Sequence, residues 1–143
     1  IYIDLDNFKF YNDNFGHELG DYVLVRISQM FKDVVKDSGY AVRFGGDEFV
    51  IVLKEKDAKY GEMIVQNMFE KMNAEVIPDV IEKTGGKIDI PEDKKLSFSV
   101  GIAECRGNMD VAKALNHADK ALYSVKKSTK NGYVVWDESI KFG

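Results

Sequence analysis

Residues 40–53 read Tyr-Ala-Val-Arg-Phe-Gly-Gly-Asp-Glu-Phe-Val-Ile-Val-Leu, and this stretch decides the fold. Two runs of β-branched and aromatic residues, 40–44 and 49–53, flank the four residues Gly45-Gly46-Asp47-Glu48. Such runs around a glycine-containing connection predict a β-hairpin with a tight turn. The turn also carries two carboxylates, so the predicted hairpin presents acidic groups at its tip.

The chain on either side of the hairpin alternates between strand and helix patterns. Further strands are predicted over residues 1–5, 96–104 and 133–136, and helices over 21–38, 60–77 and 110–128. Residues 6–20 and 78–95 are rich in Asp, Asn, Gly or Pro and are predicted as loops. Gly101, inside a predicted strand, indicates a bulge or a close backbone approach. The order β-α-β-β-α-β-α-β predicts an α+β sandwich, with helices packed on a mostly antiparallel sheet.

Composition limits the class of protein. The chain has 143 residues, 45% hydrophobic and 31% charged, which is typical of one globular domain. Its net charge of −4 argues against nucleic acid as a partner, and no apolar run predicts a membrane segment. The single cysteine, Cys105, fits a reducing compartment, so we expect a cytoplasmic domain. Because the first strand starts at Ile1 with nothing before it, we expect residues 1–143 to be one domain that is truncated at its N-terminus.

Carboxylates at the end of the first predicted strand suggest a metal site. Asp4 and Asp6 lie two apart and share a face of an ideal strand, where buried charges need a cation nearby. Together with Asp47 and Glu48 they form an oxygen-only set that suits Mg²⁺. Mg²⁺ usually retains waters and binds phosphate oxygens, so a sparse carboxylate site implies a phosphorylated substrate.

Residues suited to phosphate accompany these carboxylates. Gly45 and Gly46 would let backbone approach phosphates closely, and Lys9 and Lys126 are candidate point charges. Each feature alone also has a simpler interpretation: a solvated strand end, an ordinary hairpin turn, or a surface lysine. No Ser–His–Asp arrangement and no zinc-ligand spacing is present, which disfavours covalent and zinc hydrolases.

The joint pattern is more specific than its parts. It comprises Asp-Leu-Asp-x-Phe-Lys-x-x-Asn-Asp-x-x-Gly-His-x-x-Gly-Asp over residues 4–21, then Arg-x-Gly-Gly-Asp-Glu-Phe over 43–49. It continues with Leu-Ser-Phe-Ser-Val-Gly-Ile-Ala over 96–103 and Ala-Asp-Lys-Ala-Leu-Tyr-x-x-Lys over 118–126. In this order, and over nearly the whole chain, the pattern resembles the GGDEF family of diguanylate cyclases.

The resemblance implies a fold, a reaction and metal ligands. The fold would be the palm-like, ferredoxin-like sandwich of nucleotide cyclases. The reaction would condense two GTP molecules into cyclic di-GMP, a bacterial second messenger, with release of two pyrophosphates. The metal, Mg²⁺ or Mn²⁺, would be held by Asp4, the carbonyl of Leu5, and Asp47. Glu48 would either join a second metal or take part in proton transfer.

The resemblance also implies how GTP is held. Lys9, Lys126 and the backbone of Asn7 and Phe8 would hold the β- and γ-phosphates, and Asn12 and Asp21 would read guanine. An Asp carboxylate accepts from both N1–H and the 2-amino group of guanine, whereas adenine lacks these donors. Family relatives that make mixed adenine–guanine dinucleotides tend to carry Ser at the position of Asp21. Since one domain holds one GTP, the working enzyme would be a homodimer, with an upstream sensor or dimerising region outside this sequence.

The sequence departs from the family pattern at three places. The Arg-x-x-Asp of the inhibitory product site reads Lys-Asp-Ser-Gly over residues 36–39, which predicts no feedback site. Lys130 stands where the family carries Arg, and it keeps the charge without the bidentate geometry. The helix that precedes the first strand in the family is missing from the sequence. The alternatives are a non-catalytic GTP-binding or protein-interaction GGDEF module, and a cyclase that uses other nucleotides.

Overall fold

The computed structural model describes residues 1–86 and 90–137. The strands are β1 Tyr2–Asp6, β2 Gly39–Gly45, β3 Glu48–Leu53, β4 Ser97–Ile102 and β5 Tyr133–Val135. The helices are α1 Phe8–Phe15, α2 His17–Val35, α3 Ala58–Lys71, α4 Ile77–Thr84 and α5 Val111–Lys127. A wider π-type segment, Met72–Val76, joins α3 to α4, and short 3-10 turns cover Lys36–Ser38 and Glu92–Lys94.

In the described part of the chain, the strands form one sheet in the order β2-β3-β1-β4-β5. The central strand β1 runs antiparallel to both of its neighbours, and only the β4–β5 pair is parallel. In this register Asp4 lies opposite Glu48 on β3 and opposite Ser99 on β4. The predicted mostly antiparallel α+β sandwich and the predicted hairpin are therefore confirmed.

The two faces of the sheet have different roles. Ile3 and Leu5 point to the face that carries the apolar core, where the buried Phe31 of α2 packs edge-on against Phe49 and Phe98. Asp4 and Asp6 alternate with these residues and therefore face the opposite side, which α5 covers. Acidic side chains are thus kept out of the main core and beneath a single helix.

Gly101 allows α5 to lie directly on the sheet. A Cβ built on Gly101 would lie 2.0 Å from the carbonyl oxygen of Ala118 in α5. Of the two interpretations of this glycine, close backbone approach is the correct one. The contact fixes the height of α5 over β4, and with it the position of the residues at the end of the helix.

The loop predicted over residues 6–20 is wrong, because most of it is helical. Phe8, Tyr11 and Phe15 recur at helical spacing, the rings of Tyr11 and Phe15 are in contact, and Tyr11 is buried while Phe8 packs against the core. This packing outweighs the turn-forming Asn and Asp residues between them. Since α2 already begins at His17, Asp21 lies in the second turn of that helix rather than near its start.

The irregular segment predicted over residues 78–95 is also partly wrong. The helical stretch continues through α4 to Thr84, and Pro78 lies in the first turn of α4. Proline is tolerated there because the first N–H groups of a helix have no intrahelical partner. Residues 87–89 of the predicted segment lie outside the described residues.

Candidate functional site

The end of β1, the β2–β3 turn and the end of α5 meet at one edge of the fold. The backbone N–H of Leu5 donates to the carbonyl oxygen of Asp47 at 3.1 Å. Asp4 is the direct cross-strand partner of Glu48. The acidic end of the first strand and the acidic turn, 43 residues apart in sequence between Asp4 and Asp47, are therefore neighbours.

The β2–β3 turn needs its glycines for conformation. Gly45 has φ 159° and Gly46 has φ 49°, values that residues with a Cβ rarely adopt. A Cβ at either position would meet no atom within 4 Å, so the space in front of the turn is open. Arg43 donates from Nε to the carbonyl oxygen of Gly46 at 2.9 Å and supports the turn from behind. The turn thus presents backbone, Asp47 and Glu48 to an open region.

Lys126, near the end of α5, supplies the cation that the paired aspartates require. Its Nζ lies 2.7 Å from Oδ1 of Asp6, 3.2 Å from the carbonyl oxygen of Leu5 and 3.4 Å from Oδ2 of Asp4. Burial would raise the pKa of Asp6, but hydrogen bonds from Lys126, Ser97, Ser99 and the N–H of Asn131 outweigh it and lower that pKa. Asp6 is therefore a stable buried anion.

Asp4 has the opposite electrostatic character. Burial raises the pKa of Asp4 to about 6. The positive charge of Lys126 opposes this shift, and the negative charges of Asp47 and Glu48 add to it. The Asp4 side chain is 27% exposed, so solvent can reach it. A carboxylate in this position is short of positive charge, and a bound cation would relieve that deficit.

The donor set fits a hard cation that keeps part of its hydration. Asp4, Asp47 and the Leu5 carbonyl offer oxygen atoms only, as Mg²⁺ prefers. Among residues 1–86 and 90–137, no three Asp, Glu, His or Cys side chains are grouped so as to hold a metal by themselves. An ion at this edge would therefore depend on water and substrate oxygens, which is the usual condition of Mg²⁺ in nucleotide sites.

Glu48 lies on the same edge with a partner of its own. It accepts a hydrogen bond from the hydroxyl of Tyr2 at 3.1 Å. Burial and the charge of Glu48 raise the pKa of Tyr2 to about 12, so this hydroxyl stays protonated and remains a donor. The contact orients the Glu48 carboxylate beside Asp4.

The predicted guanine-reading residues come together between α1 and α2. A Cβ on Gly20 would lie 2.1 Å from Oδ1 of Asn12, so the Asn12 side chain rests directly on the backbone next to Asp21. Asn7 adopts a left-handed conformation (φ 66°) that turns the chain from β1 into α1. No side chain caps α1, which leaves its first-turn amides at Phe8 and Lys9 open to an anion.

Two residues predicted to contact phosphate, Lys9 and Lys130, make no ion pair with the carboxylates of this edge among the described residues. Both side chains are exposed. Lys130 lies in the turn after α5, whose next residue, Asn131, is bound to Asp6 at 2.9 Å. Their roles stay predictions.

The sequence predicted Asp6 as a member of the Mg²⁺-binding oxygen set, whereas the structure makes it an anchor bonded to Lys126, Ser97, Ser99 and Asn131. The sequence did not indicate Gly20 as the support for Asn12, or Tyr2 as the donor to Glu48. For Asp6, the alternating Ser97 and Ser99 were the available signal, since two hydroxyls on one strand face suit a buried carboxylate. The Tyr2–Glu48 contact joins segments 46 residues apart. The Gly20–Asn12 contact depends on how α1 packs against α2, which the pattern of either helix does not indicate.

A cavity of about 580 Å³ lies at the opposite end of the sheet, lined among others by Leu53, Ile102 and Val111. None of the predicted site residues lines it. Within the described residues, no helix combines the length and apolar character that crossing a bilayer requires.

Comparison with known proteins identifies the family of the chain. The sequence matches the family profile "Diguanylate cyclase, GGDEF domain" over residues 1–132. It is 40% identical over 140 residues to diguanylate cyclase DosC of Escherichia coli strain K12, covering 98% of this chain and 28% of DosC. The chain thus spans little more than a quarter of that relative.

Solved structures share the fold. The active GGEEF domain of a diguanylate cyclase from Vibrio cholerae is similar with a TM-score of 0.77 and 28% identity, over 96% of this chain and 81% of that one. The GGDEF domain of PA1120 from Pseudomonas aeruginosa gives a TM-score of 0.75 and 28% identity, over 95% and 80% of the two chains. With the family profile matched over most of its length, this chain belongs to the GGDEF domain family of diguanylate cyclases.

Proposed function

We propose that this domain is a Mg²⁺-dependent diguanylate cyclase that condenses two GTP molecules into cyclic di-GMP as a homodimer. The observation that carries the proposal is the meeting of Asp4, the Leu5 carbonyl, the Asp47 turn and Lys126 at one edge of the sheet. Oxygen ligands and an ammonium group side by side suit a metal-bound triphosphate.

In the proposed reaction, the 3′-oxygen of each GTP bonds to the α-phosphorus of the other. The bond from that phosphorus to the oxygen bridging to the β-phosphate breaks, and pyrophosphate leaves with the electron pair. The hydroxyl proton passes to a base. When bound, Mg²⁺ lowers the pKa of the attacking hydroxyl and neutralises charge on the triphosphate.

The residues of this chain hold and orient the substrate. Asp4, Asp47 and the Leu5 carbonyl would hold the metal, with Glu48 as a further ligand or as the proton acceptor. Lys126 and the open amides at the start of α1 would bind the β- and γ-phosphates. Asn12 and Asp21 would select guanine, because a carboxylate can accept from both N1–H and the 2-amino group.

A second copy of the domain follows from the chemistry. One set of these residues binds one GTP, so the hydroxyl and the phosphorus that it attacks come from two domains facing each other. Anything that holds two copies together would raise the rate by raising their effective concentration.

The proposal is tested by incubating the full-length protein with GTP and MgCl₂ and identifying products by mass spectrometry. We expect cyclic di-GMP and pyrophosphate, and a loss of about a hundredfold or more in rate for Asp47→Asn. Asp33→Asn, at an exposed position on α2, is the matched control and should retain activity. GTP binding without any product would instead support the non-catalytic alternative.

A further inference from the structure

We propose that Asp6 is a positioning residue that fixes the ammonium group of Lys126 at the end of β1, and so prepares the domain to bind the GTP phosphates. The inference rests on the proposed function, because it uses the role assigned there to Lys126. Asp6 shares a face of β1 with the metal-binding candidate Asp4 but has a different role.

Asp6 is almost completely enclosed. Its exposure is 1%, and its partners come from three separate parts of the fold. Ser97 and Ser99 of β4 donate their hydroxyls at 2.7 and 2.8 Å, Lys126 of α5 donates at 2.7 Å, and the N–H of Asn131 donates at 2.9 Å. A buried carboxylate needs such partners, and through them Asp6 joins these parts of the fold.

The distribution of these bonds leaves Asp6 no capacity for a metal. Within the described residues, Oδ1 accepts from Ser99 and Lys126, and Oδ2 accepts from Ser97 and Asn131. A carboxylate has about four lone-pair positions, and all of them are used. Asp4, two residues earlier, keeps solvent access, and its ion pair with Lys126 is longer, at 3.4 Å. The two aspartates therefore have different roles: Asp4 is accessible to a cation, and Asp6 binds the Lys126 ammonium group.

Lys126 needs such an anchor. A lysine side chain has four rotatable carbon links and loses substantial conformational freedom when it is fixed. The bonds from its Nζ to Asp6 and to the Leu5 carbonyl use two of its three donors. The third donor makes the longest of the three contacts, 3.4 Å to Oδ2 of Asp4, at the edge where the phosphates would bind. Without Asp6, the ammonium group would sample many positions before each binding event.

A double-mutant cycle separates positioning from a general effect on folding. The affinity for GTP with MgCl₂ is measured by calorimetry for the full-length protein and its Asp6→Asn, Lys126→Ala and doubly substituted variants, with thermal unfolding of each. We expect Asp6→Asn to weaken GTP binding by about tenfold when Lys126 is present, and by no more than about twofold when it is absent. An equal loss in both backgrounds would overturn the proposal.

A milder pair of variants tests the same point if Asp6→Asn does not fold. Ser97→Ala and Ser99→Ala each remove one hydroxyl donor to Asp6, from Oδ2 and Oδ1 respectively. Because Lys126 shares Oδ1 with Ser99, only Ser99→Ala should weaken GTP binding, by a few-fold, in a Lys126-dependent manner. Equal effects of the two would contradict the proposal.

The result also separates this inference from the proposed function. If the unmodified protein binds GTP and forms cyclic di-GMP but the cycle is additive, only the role of Asp6 is wrong. If the unmodified protein binds no GTP, both proposals fail together.

Discussion

Gly20→Ala should separate nucleotide binding from stability. Gly20 is a buried residue inside α2, and in a helix interior the intrinsic propensity of Ala exceeds that of Gly by up to about 1 kcal/mol. The added Cβ would, however, lie 2.1 Å from Oδ1 of Asn12, where an ordinary contact needs roughly 3.4 Å or more. The Asn12 side chain must therefore move by more than an ångström, away from the place where it would meet guanine beside Asp21. We expect the free energy of unfolding to stay within about 1 kcal/mol of the original, and GTP affinity to fall by about tenfold.

Gly61→Ala is the matched control for that variant. Gly61 is also helical, in α3, but its added Cβ would meet Ile102 at 3.4 Å, which is ordinary contact. It should raise stability slightly and leave GTP affinity unchanged. Urea unfolding and calorimetric titration with GTP measure both quantities on the same samples. If Gly20→Ala binds GTP as tightly as Gly61→Ala does, Asn12 has no role in holding the base.

Three further predictions follow from the same geometry. The pKa of Asp4 in the folded protein, about 6, lies above its ordinary value of 3.8, so the folded state binds this proton more tightly than the unfolded state does. The protonated side chain therefore adds its full contribution to the free energy of unfolding below pH 4, and this contribution is lost as the pH rises through 6. Asp4→Asn should therefore raise stability by on the order of 2 kcal/mol at pH 7.5 and leave it nearly unchanged at pH 4; equal shifts in thermal unfolding at the two pH values would refute this. Gly101→Ala should lower the free energy of unfolding, measured in urea, by about 3 kcal/mol, because the added Cβ would lie 2.0 Å from the Ala118 carbonyl oxygen. Unaltered stability would show that α5 can move away from β4 at no cost. Asp21→Ser should lower the preference for GTP over ATP by about tenfold in competition binding, and an unchanged preference would remove Asp21 from guanine selection.

The fold was predictable where local pattern and tertiary packing agree. The hairpin around Gly45 and Gly46, the α+β class and the helix ending near Lys126 are all as the sequence predicts. These elements have strong alternation or helical spacing, and nothing in their composition opposes it.

The errors occurred where composition and packing disagree. Residues 8–15 are rich in Asn and Asp, yet Tyr11 and its aromatic neighbours hold them in a helix. Pro78 suggested a loop, but it lies in the first turn of α4, where a proline does no harm. For residues 8–15, the helical spacing of the aromatic residues was a local signal, and the long-range contact is the Leu96 N–H, which donates to the Tyr11 hydroxyl at 2.9 Å.

In the candidate site, too, some features were predictable from the sequence and others were not. Motif positions correctly bring Asp4, Asp47 and Glu48 to one edge, because strand pairing places the ends of β1 and β3 together. Asp4 has a raised pKa and Asp6 a lowered one. This difference was not predictable from the sequence, in which the two residues simply lie two apart on one strand. That difference depends on Lys126, 120 residues away from Asp6, and on the hydroxyls of β4.

The most direct test of the account is a crystal structure of the protein with MgCl₂ and a non-hydrolysable GTP analogue. We predict a metal bound by Asp4, the Leu5 carbonyl and Asp47, with Lys126 on the phosphates and guanine between Asn12 and Asp21. A nucleotide bound elsewhere, such as in the 580 Å³ cavity at the opposite end of the sheet, would contradict it.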